Sequence, residues 1–88
     1  MSYRIEIKIS AAKSLKKIQK ADRIRIVEKI DSFTDDLPNP DTTKLKGNNP
    51  FHRVRVGDYR IVYEIQEDIL VILVVKIGHR KDIYRNLP

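Results

Sequence analysis

The amino-acid sequence predicts an α+β domain in which two N-terminal helices pack on a mostly antiparallel, four-stranded sheet. The first residues alternate between apolar and charged side chains, as in a strand with one buried face. Apolar residues at helical spacing follow, and the second half of the chain returns to alternation in three closely spaced runs. This order, β-α-α-β-β-β, leaves room for a short C-terminal helix. At 88 residues the chain is expected to form a single domain, residues 1–88, with one small core.

The first strand is predicted from Ser2 to Ile9, where every second residue is apolar. The residues expected on its buried face are Tyr3, Ile5, Ile7 and Ile9. Ser10 follows as the expected N-cap of the first helix, because its hydroxyl can accept a hydrogen bond from a free backbone N–H. That helix carries its apolar side chains at Ala11, Leu15 and Ile18.

A second helix is predicted after a break near Ala21-Asp22, with Asp22 as its N-cap. Its apolar stripe consists of Ile26, Ile30 and Phe33, supported by Val27. A short helical hairpin would lay the stripes of both helices on one side of the sheet.

The helices are strongly basic, in a chain whose formal net charge is +6. Between Lys13 and Lys29 there are seven Lys or Arg residues and two acids. Such a surface either stays solvated or faces the phosphates of a nucleic acid. The candidate RNA-binding residues are Lys13, Lys16, Lys17, Lys20, Arg23, Lys44 and Lys46.

A loop is predicted from Thr34 to Pro50, which is rich in Pro, Asn, Asp and Thr, and Leu45 is expected to pin it to the core. Gly57-Asp58 then separates two alternating runs, which indicates a hairpin with a two-residue type II′ turn.

The last two strands are separated by Glu67-Asp68, and the final one is apolar at consecutive positions from Ile69 to Val75. This pattern is typical of a central strand covered on both faces. Gly78 is expected to end the strand, and a polar tail follows.

The predicted hairpin gathers arginines. A two-residue turn at Gly57-Asp58 places Arg55 directly opposite Arg60, with Arg53 on the same face. Like charges in this position destabilise a sheet by up to ~1 kcal/mol. A bound phosphate would offset that cost, because guanidinium groups bind phosphate through two parallel hydrogen bonds. The alternative is that Glu64 or Glu6 pairs with the arginines.

Two residues after the last strand extend this set. Arg80 follows His79, and Tyr84 lies four residues further on. Cations that hold phosphates, together with an aromatic ring that stacks on a base, are typical of single-stranded RNA recognition.

Several classes of protein are disfavoured. The chain has no cysteine, which excludes disulfides and cysteine zinc sites and makes a cytoplasmic location the expectation. Its N-terminus does not have the pattern of a signal peptide, and no apolar run approaches the ~20 residues of a membrane span. Neither a metal nor a small-molecule cofactor is expected.

The motifs KLKG, HRVRVGDYRIVYEI and KIGHRKDIY resemble those of the RelE/ParE superfamily of bacterial and archaeal toxins, and the resemblance spans essentially the whole chain. Members similar to RelE are ribosome-dependent endoribonucleases that cut messenger RNA in the ribosomal A site. The ribose 2′-hydroxyl attacks the neighbouring phosphate, leaving a cyclic phosphate and a 5′-hydroxyl. The resemblance therefore implies three kinds of partner: messenger RNA, the ribosome and a RelB-like antitoxin.

Carried over by motif, the family's site implies specific roles for these residues. Arg55 and Arg60 would clamp the scissile phosphate, and Arg53 would assist them. Arg80 would neutralise the leaving oxygen or donate a proton to it, and Tyr84 would stack on a base or orient it.

The sequence departs from the family pattern at Arg53 and Arg55, where lysine is common. Arginine stays charged and is a poor general base, so charge stabilisation is the safer role for this pair. Histidine is the residue type that titrates near neutral pH, which makes His79 the reserve candidate for the general acid.

Three alternatives to the nuclease remain open on the sequence. A toxin similar to ParE would inhibit DNA gyrase with the same fold. A catalytically inactive relative would only bind RNA or antitoxin. A purely structural protein would pair its arginines internally.

Overall fold

The computed structural model describes residues 3–33, 42–44 and 50–79, the middle segment by its backbone. Seven helices and strands lie within these ranges, together with a 3₁₀ turn. In chain order they are β1 (Arg4–Ile7), α1 (Ile9–Lys16), α2 (Lys20–Ser32), β2 (Thr42–Lys44), β3 (Phe51–Val56), β4 (Tyr59–Gln66), the 3₁₀ turn (Glu67–Ile69) and β5 (Val71–His79).

The strands form one sheet in the order β1-β5-β4-β3-β2, in which β1 runs parallel to β5 and the other pairs are antiparallel. The predicted class, two helices on a mostly antiparallel sheet, is confirmed. The sheet has a fifth strand, β2, in addition to the four predicted strands, and it lies within the predicted loop. This strand exists because it pairs with the edge of β3, from Thr42 opposite Val54 to Lys44 opposite His52. Leu45 and the suggested C-terminal helix lie outside the described residues.

The first strand ends earlier than its alternation predicts. The backbone N–H of Lys8 donates to the carbonyl of Val74 at 2.9 Å, and the chain then turns directly into α1. Lys8 takes the N-cap position without a side-chain cap, so the prediction of Ser10 as the cap is wrong. Ile7 is the last residue of β1 and is 38% exposed, and Ile9 lies in α1 and is 75% exposed, so the prediction that both are buried is wrong.

The break between the helices also differs from the prediction. α1 ends at Lys16 and α2 begins at Lys20, with Gln19 in the N-cap position. Asp22 therefore lies in the first turn of α2, where its charge favours the positive end of the helix dipole without capping it. Val27, expected to support the apolar stripe, is 40% exposed.

The core lies between the helices and one face of the sheet. Ile26, Ile30 and Phe33 of α2 are buried as predicted, and the ring of Phe33 lies 4.5 Å from that of Tyr63 in β4. On the other face a smaller cluster is buried, consisting of Phe51, Val62 and Val75 packed by Leu73. The central strands are therefore buried on both faces, as the consecutive apolar residues of the last strand predicted.

The turn between β3 and β4 has the predicted geometry. Gly57 has a φ of +59°. Asp58, the second residue of the turn, has a negative φ, since Leu70 is the one non-glycine residue with a positive φ in the described ranges. That combination defines a type II′ turn. The 3₁₀ turn before β5 ends at Ile69, and Leu70 is its C-cap. β5 runs through Gly78 to His79, so the expectation that Gly78 ends the strand is wrong.

We expect Gly57→Ala to lower the free energy of unfolding by about 1–2 kcal/mol, because an L side chain is strained at positive φ. Urea denaturation should show a lower midpoint with an unchanged slope. Asp58→Ala is the matched control, since this exposed residue keeps a negative φ, and its effect should stay within about 0.5 kcal/mol. Equal losses for both variants would contradict the type II′ assignment.

Within the described ranges, the helices are all too short or too polar to cross a lipid bilayer.

Candidate nucleic-acid interface

Three arginines share the face of the sheet that points away from the helices. Val54, Val56 and Ile61 face the helical core, and the alternating positions of the same two strands carry the arginines. Arg55 lies opposite Arg60, and Arg53 lies opposite Val62, in the register expected from a two-residue turn. We call Arg53, Arg55 and Arg60 the arginine face.

Arg60 donates hydrogen bonds to backbone carbonyls close to it in the chain. Its Nη1 donates to the carbonyl of Tyr59 at 3.1 Å and to that of Gly57 at 3.3 Å. These bonds hold the guanidinium near the hairpin turn. Arg55 is exposed on the opposite strand.

The acids among the described residues do not neutralise Arg55 and Arg60. Glu6 bonds Arg4 on its own strand, with Oε2 at 2.8 Å from Nη2. Within the described part of the chain, neither Arg55 nor Arg60 forms an ion pair with Glu64 or any other carboxylate. Two cationic residues are thus direct cross-strand neighbours, an arrangement that a bound anion would stabilise.

His79 lies on the other side of the sheet from the arginine face. It is the register partner of Tyr59, and the two rings meet edge to face at 5.9 Å. His52 likewise stacks on Tyr63, at 5.6 Å between ring centroids. The structure therefore does not bring His79 together with the arginines. Arg80 and Tyr84, the remaining members of the predicted catalytic set, lie outside the described residues.

The basic residues of the helices form a separate surface. Lys13, Lys16, Lys17 and Lys20 are exposed and Arg23 is half-buried, all on the helical layer. Lys44 lies on the edge strand β2, which is described by its backbone, and Lys46 lies outside the described residues. The helix cations and the arginine face thus lie on opposite sides of the sheet.

A groove between α2 and the β3–β4 turn was missed by the sequence reasoning. Its volume is about 440 Å³, and its lining includes Arg25, Lys29 and Ser32 from the helix and Arg55 and Gly57 from the hairpin. Arg25, Lys29 and Ser32 are spaced so that they lie on one side of the helix, which the sequence shows. The sequence does not show that the hairpin lies beside that side of the helix. We call this the α2 groove.

The described ranges hold no group of three or more His, Cys, Asp or Glu side chains that could bind a metal ion together. What the described site offers chemically is positive charge and guanidinium hydrogen bonds.

Comparisons with known proteins agree with this fold. The model of the family described as the ParE toxin of the type II toxin-antitoxin system, parDE, matches residues 5–84. RelE1 of Methanocaldococcus jannaschii, named as a toxin, is 30% identical over 89 residues, which cover 98% of this chain and 99% of that protein.

Two solved structures are similar over most of the chain. The archaeal RelE–RelB complex from Pyrococcus horikoshii OT3 gives a TM-score of 0.77 at 31% identity, covering 93% of this chain and 99% of that chain. The isolated RelE toxin of E. coli gives a TM-score of 0.78 at 20% identity, covering 89% and 84% of the two chains, and so supports the fold alone.

Proposed function

Because this chain belongs to the ParE toxin family of type II toxin-antitoxin systems and is a RelE-like toxin, we propose that it cleaves messenger RNA in the ribosomal A site. In the reaction a ribose 2′-hydroxyl loses its proton to water and its oxygen bonds to the adjacent phosphorus. The bond from phosphorus to the 5′-oxygen of the next nucleotide breaks, and that oxygen takes up a proton from water, which leaves a cyclic phosphate and a 5′-hydroxyl. The observation that carries this proposal is the cross-strand pair of Arg55 and Arg60, which no carboxylate among the described residues neutralises.

The arginine face acts by charge stabilisation. Arg55 and Arg60 hold the scissile phosphate, and Arg53 assists on the same face. The phosphorane carries more negative charge than the ground-state phosphate, so fixed cations stabilise the transition state more than the bound substrate. Arg80 at the leaving oxygen and Tyr84 against a base complete the set proposed from the family motif.

The position of His79 does not favour a role for it as the general acid. Its ring packs on Tyr59, on the helix side of the sheet. The proposed mechanism therefore places no described histidine at the phosphate, and Arg80 is proposed to neutralise the charge on the leaving oxygen.

The proposed partners are the ribosome, the message and an antitoxin. The Pyrococcus relative was solved with RelB, and a chain of net charge +6 favours an acidic segment laid over its surface. The exposed lysines of the helices are proposed to contact ribosomal RNA. This assigns the protein to the cytoplasm, where ribosomes are.

A second candidate is supported by the family model, which is that of ParE toxins. A toxin of that kind would inhibit DNA gyrase, and its arginines would contact protein.

Induction in cells distinguishes these functions. We expect the wild-type protein to arrest growth and to produce new 5′-ends within ribosome-bound codons, and we expect Arg55→Ala to abolish those ends. Growth curves measure the arrest, and mapping of message 5′-ends on purified ribosomes measures cleavage by the wild-type protein and by Arg55→Ala. Intact message with broken or relaxed DNA would support gyrase inhibition, and normal growth with the wild-type protein would indicate an inactive relative.

A further inference from the structure

The α2 groove joins the arginine face to the helical layer. Arg55 is exposed on β3 and is the cross-strand neighbour of Arg60, yet it also lines the groove beside α2. Arg55 is the second-last residue of β3, next to the turn that leads into β4. Arg55 thus belongs both to the arginine face and to the lining of the α2 groove.

Arg25 approaches the hairpin from the opposite wall of the groove. Its Nη1 and Nη2 lie 3.5 and 3.6 Å from the position that a Cβ on Gly57 would occupy. The guanidinium therefore rests against the turn that separates Arg55 from Arg60. Among the described residues it pairs with Asp22 alone, at a long 3.8 Å, and its side chain is 60% exposed. Such a pair contributes little, so the hydrogen-bonding edges of Arg25 are available to a ligand.

The groove has an excess of positive charge. Among the described lining residues there are three cations, Arg25, Lys29 and Arg55, and one carboxylate, Glu28, so these residues carry a net charge of +2. The lining is thus suited to an anion with several oxygens.

We propose that the α2 groove is a second phosphate subsite, in which Arg25 binds the backbone of the same RNA strand whose scissile phosphate lies on the arginine face. The strand passes over the end of β3 at Arg55, which contacts phosphates on both sides of this edge. Arg25 is a positioning residue that touches the strand away from the reacting atoms. This inference rests on the proposed RNA-binding function and extends it by a subsite on the helix side of the hairpin.

The subsite is tested by equilibrium binding of a fluorescent, 2′-O-methylated RNA oligonucleotide, which the 2′-hydroxyl chemistry cannot cleave. For the full chain, Arg25→Gln should lower the magnitude of the slope of log K against log salt concentration by about 0.7, the value for one phosphate contact to a single strand. At about 0.1 M salt that slope corresponds to a roughly fivefold loss of affinity.

Two further variants separate this effect from a folding defect. Glu28→Gln removes the carboxylate of the groove and should tighten binding by about twofold to fivefold, which a damaged fold would not do. Arg4→Gln removes an exposed arginine at the far edge of the sheet and should leave the affinity within about twofold.

An unchanged salt slope in Arg25→Gln, or an unchanged affinity in Glu28→Gln, would overturn the subsite. A 20-residue poly-glutamate peptide provides the comparison with an acidic protein partner. If Arg25→Gln lost affinity for the peptide but not for the RNA, the groove would be a protein-docking surface and the proposal would be wrong. The result is separable from the nuclease proposal, because the subsite stands if the binding effects appear even where the wild-type protein leaves message uncut.

Discussion

Arg60→Ala is expected to lower the rate of message cleavage by about a hundredfold to a thousandfold, the usual loss when one preorganised donor to a developing oxyanion is removed. Arg60 presents its guanidinium beside Arg55, held by the carbonyls of Gly57 and Tyr59. The alanine variant loses both the charge and this preorganisation. The measurement is a single-turnover time course of 5′-end formation on ribosomes programmed with a defined message.

Arg4→Ala is the matched control, because it removes an arginine from the same sheet face but from the opposite edge strand, where it pairs with Glu6. Its cleavage rate should equal that of the wild type. Arg60→Lys should retain part of the rate, since lysine keeps the charge and loses the bidentate geometry. Cleavage by Arg60→Ala within tenfold of the wild type would remove the arginine face from the mechanism.

The largest loss of stability is expected for Phe33→Ala, at about 3–5 kcal/mol. Phe33 is fully buried at the C-terminal end of α2, and its ring contacts that of Tyr63 at 4.5 Å. Truncation removes this contact and leaves a cavity under the last turn of the helix, which the surrounding sheet cannot fill. A domain of 88 residues has a total stability of roughly 4–13 kcal/mol, so the loss is at least about a quarter of the total.

Guanidinium denaturation of the purified protein measures this change, with Val27→Ala as the control. Val27 lies on the same helix but is 40% exposed, so its truncation should cost less than about 0.5 kcal/mol. If the two variants lost similar stability, the orientation of α2 on the sheet would be wrong.

Features that depend on neighbouring residues were predicted well. The register that places Arg55 opposite Arg60 follows from a glycine-first turn and a period of two, both visible over a few residues. The apolar stripe of Ile26, Ile30 and Phe33 follows in the same way from helical spacing.

Features that depend on distant segments were not predicted. The strand β2 has no alternation of its own and forms because the edge of β3 offers backbone hydrogen bonds to it. The start of α1 is set by the bond from Lys8 to Val74, residues far apart in the chain, and not by the local Ser10 signal.

The sequence by itself determined that this protein is a small basic α+β domain with arginines on one face of a hairpin, because pattern and turn chemistry act locally. The tertiary structure decided that His79 packs on Tyr59 away from those arginines, and that Arg25 and Arg55 line the same groove. Both results depend on how strands and helices from separate parts of the chain pack together, and no local pattern of residues encodes that packing.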